Sequence, residues 1–156
     1  MTVQLEHGQR MHAKPHSKEY GSFSCYVQYY GEVKKLFNIP PTAFHPRPKV
    51  QSCFVQWTPF PGPKIKAARE AFLFQMIRQA FQQRRKTILN SLSSFIGRER
   101  LVRALKDLHL DPCARAENLS LKDYIMLANT VGILEPEGPY TADFPSQPSN
   151  QRSTTC

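Results

Sequence analysis

The chain has no C-x-x-C pair. Its four cysteines, Cys25, Cys53, Cys113 and Cys156, stand far apart, which argues against a zinc ribbon and against a dense disulfide framework. The five histidines do not supply a metal site. His12 and His16 are spaced to share a helix face, but no carboxylate or cysteine joins them at ligand spacing, so the pair reads as surface and no metal is expected. The first residues are polar and mixed in charge, so no secretory signal is expected. The longest apolar stretch, Tyr124 to Leu134, contains Asn129 and Thr130 and is too short to span a bilayer. The expected setting is a reducing cytoplasm, with no membrane partner.

Catalytic signatures are also missing. There is no Gly-rich phosphate or dinucleotide loop. The segment Gly21-Ser22-Phe23-Ser24-Cys25 lacks the closing glycine of a nucleophile elbow. No pair of carboxylates is framed for acid–base work, and Glu6, Glu19 and Glu32 read as solvated surface. The chain does not carry an enzyme's full kit.

Negative charge is scarce, and that scarcity points to a partner. Lys and Arg number 21 against 12 Asp and Glu, for a net +9. Eleven of the cations lie between Lys64 and Lys106, opposed only by Glu70 and Glu99, so this stretch carries as much excess as the whole chain. Such an excess favours a polyanion, most often nucleic acid. With 156 residues, 40% of them hydrophobic, there is enough chain for one ordinary domain or two small ones.

Three regions separate on composition. Residues 1–60 read as strand and loop: a short strand at Val3-Gln4-Leu5, a polar segment from Met11 to Gly21 broken by Pro15, and a long strand-like run from Phe23 to Phe37. The run Val50 to Thr58 alternates and is its antiparallel partner, because the connection is too short for a crossover helix. Pro59-Phe60-Pro61-Gly62-Pro63 is a linker. Residues 61–134 read as helical. Phe74, Ile77, Phe81, Ile88, Leu92 and Phe95 make one apolar seam ending at Ser93-Ser94 and Gly97. A second helix spans Arg100 to Leu110, and Asp111-Pro112 restarts the chain. Ser120 then caps a last helix, with Asp123 three residues on. Residues 135–156, with Pro136, Pro139, Pro145 and Pro148 among polar residues, are expected to be disordered.

Two constellations carry chemistry. The first is Ile39 to Ser52, where Phe44 sits in a frame of four prolines, Pro40, Pro41, Pro46 and Pro48. Proline fixes φ and pushes the preceding residue toward extended backbone. The segment is a stiffened loop that presents an aromatic beside Arg47 and Lys49. It suits a flat, anion-linked ligand such as a nucleotide; from the spacing alone the favoured reading is a packed hairpin connection with Phe44 capping the core. The second is Arg84-Arg85-Lys86. On a continuous helix, Arg78 and Arg85 edge the apolar seam, with Arg84 and Lys86 flanking it. An arginine there needs an internal carboxylate or carbonyl, or else a phosphate gripped by its fork.

Four segments in order complete the reading: Val27-Gln28-Tyr29-Tyr30; Ile39-Pro40-Pro41 through Phe44-His45-Pro46-Arg47-Pro48-Lys49-Val50-Gln51-Ser52; Gln83-Arg84-Arg85-Lys86-Thr87; and Arg115-Ala116-Glu117-Asn118-Leu119-Ser120. This succession resembles the KsgA family, the small-subunit ribosomal RNA adenine dimethyltransferases, over roughly residues 3 to 132. The resemblance implies an S-adenosylmethionine-dependent enzyme that dimethylates two adjacent adenines near the 3′ end of small-subunit ribosomal RNA. It implies an α/β fold, with the C-terminal strands of a Rossmann-like methyltransferase sheet, as an antiparallel hairpin, followed by a small all-α domain that binds RNA. Phe44 then matches the aromatic that stacks on the target adenine. Arg84, Arg85 and Lys86 match a basic cluster facing RNA, with Arg47, Lys49 and Arg78 beside them as RNA-binding candidates. The family's Gly-rich cofactor loop, its acidic ribose ligand and its Asn-(Leu/Ile)-Pro-(Tyr/Phe) catalytic motif precede the strand matched by Val3-Gln4-Leu5-Glu6. The expectation is a C-terminal portion that stacks a base and binds RNA, binds no S-adenosylmethionine by itself and is inactive alone. A non-catalytic RNA-binding or ribosome-assembly module and a degenerate fragment are the alternatives.

Overall fold

Alternating side chains at Cys53, Val55 and Trp57 build the central strand of the molecule. In the computed structural model, which describes residues 1–62, 67 and 69–132, β3 (Ser52–Pro59) lies between β1 (Thr2–Gln4) and β2 (Gly31–Ile39). Both pairings are antiparallel: Val3 faces Cys53, Val33 faces Trp57 and Ile39 faces Ser52. The expected hairpin and the short N-terminal strand are both present, although Val50 stays in the loop, exposed. Side chains alternate across a strand, so Cys53 and Val55 share one face. They pack there with Met11, Val3, Leu5, Val27 and Val33.

Two helices cover that face, and neither was expected from local sequence. The first, α1 (Leu5–His12), follows β1 directly. It approaches the sheet so closely that a Cβ at Gly8 would lie 2.2 Å from Cys53 Sγ. It ends at His12, before Pro15, and His16 lies beyond it at φ 68°, so the two histidines share no helix face.

The second, α2 (Ser22–Tyr30), replaces the first half of the strand expected from Phe23 to Phe37. Valine and aromatics favour strands only when they fit a pleated surface, and here tertiary contacts override them. Cys25 and Tyr29, four apart, are buried on one helical face. Ser24 Oγ accepts from the Gly21 N–H at 3.1 Å and donates to the Arg10 carbonyl at 2.6 Å. Tyr26, Tyr29 and Tyr30 all pack their rings against Phe74. Gly31 then permits the turn into β2, since a Cβ there would meet Trp57 Nε1 at 2.4 Å and the Thr58 carbonyl at 2.7 Å.

The helical body is α3 (Glu70–Gln82), α4 (Ile88–Ile96), α5 (Arg98–Asp107) and α6 (Leu121–Gly132). The apolar seam expected as one helix is two, α3 and α4. They are broken at residues 83–87, where Thr87 caps α4 by accepting from the Asn90 N–H at 3.3 Å. Gly97, at φ 92°, ends α4 as expected in a region that favours glycine. Pro112 starts no helix. Asp111 Oδ1 instead accepts the Cys113 N–H at 2.8 Å, and a 3-10 turn follows at Ala116–Asn118. Ser120 and Asp123 cap α6 reciprocally, through an Asp123 N–H to Ser120 Oγ bond of 3.2 Å and a Ser120 N–H to Asp123 Oδ2 bond of 2.8 Å.

One apolar cluster fills the centre of this body. Leu73, Met76, Ile77, Leu92, Leu105 and Leu127 are all in it, and so are Tyr20, Cys25 and Tyr29 from the first sixty residues. The architecture is therefore α/β: a small antiparallel sheet with helices, joined to a four-helix body through α2. Lys64, Lys66 and the segment expected to be a disordered tail lie outside the described residues.

Candidate nucleic-acid interface

The loop between β2 and β3 is built by its prolines. Pro40 is extended, at φ −68° and ψ 152°, and Pro41–Ala43 then makes one 3-10 turn. The Ala43 N–H donates to the Pro40 carbonyl at 3.0 Å, and the Phe44 N–H donates to the Pro41 carbonyl at 3.3 Å. Proline at the start of such a turn loses no hydrogen bond, because its missing donor would be unpaired there anyway. Phe44 leaves the turn extended and half-buried. His45, Arg47 and Lys49 are exposed. The loop returns firmly, since the Leu5 N–H at the start of α1 donates to the Gln51 carbonyl at 2.9 Å. Phe44, Arg47 and Lys49 thus share one anchored loop, as the sequence predicts.

The second group, Arg84, Arg85 and Lys86, lies in the turn between α3 and α4 and not on a helix. The Lys86 N–H closes that turn on the Gln83 carbonyl at 2.8 Å. The expected helical phase therefore does not apply: Arg85 interrupts no seam, and Arg78, Arg85 and Lys86 are all exposed. The arginine with internal partners is Arg84. Its guanidinium pairs with Glu117 at 2.7 Å and donates to the carbonyls of Lys18 at 3.1 Å and Tyr20 at 3.3 Å. Sequence reasoning missed this, because Glu117 lies 33 residues on. The only signal was that an arginine near a packing face needs a carboxylate or carbonyl partner.

The Arg84 contact stitches three segments together. The His16 N–H donates to the Glu117 carbonyl at 2.8 Å, and His16 Nδ1 meets Asn118 Nδ2 at 2.9 Å. The Thr87–Arg115 bridge and the Ile88 N–H to Ala114 carbonyl bond of 2.6 Å hold the same strip from the other side. Arg85 and Lys86 are presented to solvent from this fixed base. No hydrogen bond or ion pair links this turn to the Phe44 loop among the described residues.

Beneath the surface, burial controls the titratable groups. It raises the Cys25 thiol from 9.0 to about 11, and it raises the hydroxyls of Tyr20 and Tyr124 well above the usual tyrosine range. Tyr29 and Tyr30 are raised too, first by burial and then by Glu70, to which both hydroxyls donate. These neutral tyrosines brace α2 against α3. A cleft of about 410 Å³ opens where α1, β2 and α6 meet, bordered by His12, Gln28, Tyr29, Glu32 and Lys122. Among the described residues no three His, Cys, Asp or Glu side chains are grouped to hold a metal ion, and no helix is long and apolar enough to cross a membrane.

The ribosomal RNA small subunit methyltransferase A of Halothermothrix orenii is 44% identical over 135 residues, covering 84% of this chain and 45% of that protein. Its counterpart from Bacillus cytotoxicus is 39% identical over 134 residues, covering 83% and 46%. The chain thus spans about half the length of these curated relatives. The crystal structure of a dimethyladenosine transferase from Plasmodium falciparum shares the fold at a TM-score of 0.66 and 23% identity, over 84% of this chain and 56% of that one. The 23S rRNA methyltransferase ErmE does so at 0.62 and 18%, over 85% and 53%. A sequence model described as ribosomal RNA adenine dimethylase matches residues 1–132, and the chain belongs to that family.

Proposed function

We propose that this chain is the base-stacking and RNA-gripping portion of an S-adenosylmethionine-dependent ribosomal RNA adenine dimethyltransferase. Its substrate would be two adjacent adenines near the 3′ end of small-subunit ribosomal RNA. The observation that carries this reading is the Pro40–Gln51 loop, which anchors Phe44 beside the exposed cations Arg47 and Lys49. An aromatic ring held on a braced turn stacks an unpaired base with little loss of freedom, and the neighbouring cations hold its phosphates.

In this reading residues 1–60 are the last strands of a Rossmann-like methyltransferase unit. Residues 61–134 are the helical RNA-binding unit, and the two share one core through Tyr20, Cys25 and Tyr29. Arg78, Arg85 and Lys86 contact phosphates. Arg84 contributes by holding the turn that carries Arg85 and Lys86, and by the remaining exposure of its own guanidinium.

The described residues do not fit the methyl donor. A Rossmann-like cofactor site needs a glycine-rich loop between a strand and the helix that follows it. Here Gln4 of β1 runs straight into Leu5 of α1, and the glycine of that helix, Gly8, is packed against Cys53. No methyl-transfer step is assigned to this chain's residues.

Two measurements test the reading. Binding to small-subunit ribosomal RNA, followed across salt, should weaken steeply with ionic strength. Tritiated-methyl transfer to unmethylated small subunits should be absent with this chain alone. A chain with no RNA affinity would instead support a degenerate fragment. Methyl transfer by the 156-residue chain would overturn the assignment of catalysis elsewhere.

A further inference from the structure

A bulge in β2 re-aims one aromatic ring. Val33 faces Trp57 and Lys35 faces Val55, on the face that α1 and α2 cover. Uninterrupted alternation would place Phe37 on that covered face as well. The register shift between Lys35 and Phe37 instead sets Phe37 opposite Phe54, on the other face of the sheet. The two rings stack at 5.4 Å and 5°. Phe37 is 56% exposed, and neither ring joins an apolar cluster among the described residues. An extra residue has been spent on putting a phenylalanine into water.

The surroundings are basic. Lys34 faces Gln56 on the same side of the sheet, and Lys35 adjoins the bulge; both are exposed. Glu32 is the one acid of β2, and it pairs with Lys34 at 3.5 Å. Two residues beyond Phe37 the strand enters the Phe44 loop, with Arg47 and Lys49. Lys34 shares the face of the stacked rings and the adjoining loop carries Arg47 and Lys49, so charge complementarity favours a polyanion over an apolar protein surface.

We propose that Phe37, backed by Phe54, is a second nucleobase platform, taking an unpaired base of the same single-stranded RNA that the Phe44 loop engages. This rests on the RNA-binding reading above. Stacking is sequence-tolerant, because every base has a π-face, so the platform would hold a flanking nucleotide without selecting it.

The test uses the whole chain and a 12-nucleotide single-stranded RNA carrying 2-aminopurine, with a duplex RNA of the same sequence as control. Phe37→Leu should weaken single-strand binding roughly tenfold and lower the quenching of 2-aminopurine to what the Phe44 loop alone gives, while duplex binding stays within about twofold. Phe37→Tyr keeps the ring and should bind as the unmodified chain does. If Phe37→Leu binds single strands normally while Arg47→Ala with Lys49→Ala weakens them, the platform is overturned and the RNA-binding reading stands. If Phe37→Leu instead changes only self-association, the face is a protein contact and the platform is likewise overturned. If the unmodified chain binds neither RNA, both readings fall.

Discussion

Arg84 and Glu117 meet at 2.7 Å across a gap of 33 residues, and the same guanidinium closes on the carbonyls of Lys18 and Tyr20. One cation of a three-residue basic run is therefore structural, while its two neighbours face solvent. The pair is half-exposed, at 44% and 31% of side-chain area, so the ion pair itself contributes little. The two charge-assisted carbonyl bonds contribute more.

Arg84→Ala should accordingly lower folding stability by about 1–2 kcal/mol. Arg85→Ala should change it by less than about 0.5 kcal/mol, as exposed substitutions do. Urea unfolding of the two variants side by side measures the difference. Equal stabilities would show that the Arg84 contacts hold nothing.

RNA affinity should divide the opposite way. Each phosphate-contacting cation lost lowers the salt slope by about 0.7 to 0.9. Arg85→Ala combined with Lys86→Ala should flatten the slope by roughly 1.5 at unchanged stability. Filter binding between low and moderate salt reads it directly, and an unaltered slope would remove both residues from the interface.

Gly31 sits where α2 becomes β2, with Trp57 and the Thr58 carbonyl inside the space a Cβ would take. Gly31→Ala should destabilise by about 1–3 kcal/mol, as overpacking does. Gly21, which has open space around it, is the control. Thermal melts of Gly31→Ala and Gly21→Ala should separate by several degrees.

Alkali should unfold this protein early. The Cys25 thiol is raised to about 11 by burial, while an unfolded thiol ionises near 9.0. Below pH 9 both states keep the proton and stability is flat. Between about 9 and about 11 only the unfolded state releases it, so stability falls as pH rises, by about 1.4 kcal/mol per pH unit for this one group. Tyr20 and Tyr124, raised further by burial, steepen the loss above the usual tyrosine range. Denaturant titrations at pH 8, 9.5 and 11 should show the decline, and Cys25→Ala should flatten its first part.

Ser120→Ala removes the acceptor for the Asp123 N–H and one side of the reciprocal cap on α6. A loss of about 1 kcal/mol is expected. Asp123→Asn keeps an acceptor, and urea midpoints should rank it between Ser120→Ala and the unmodified chain.

Local chemistry by itself determined the features that depend on near neighbours. Prolines around Phe44 dictated a stiff loop, alternation from Ser52 onward dictated a strand, and Ser120 with Asp123 dictated a helix start. Gly97 marked a helix end, because only its backbone tolerates that turn. Tertiary structure decided whatever depends on distant partners. Ser22–Tyr30 is rich in strand-forming residues, yet it is helical because Cys25 and Tyr29 gain more by entering the core that α3 and α6 complete. Residues 83–87 break a seam whose spacing reads as one helix, because α4 must fold back to bury Ile88 and Leu92. Which arginine is structural, and which face of β2 carries Phe37, rested on Glu117 and on one extra residue in a ladder. Neither is visible until the chain has closed on itself, since burial and pairing are properties of contacts and not of order along the chain.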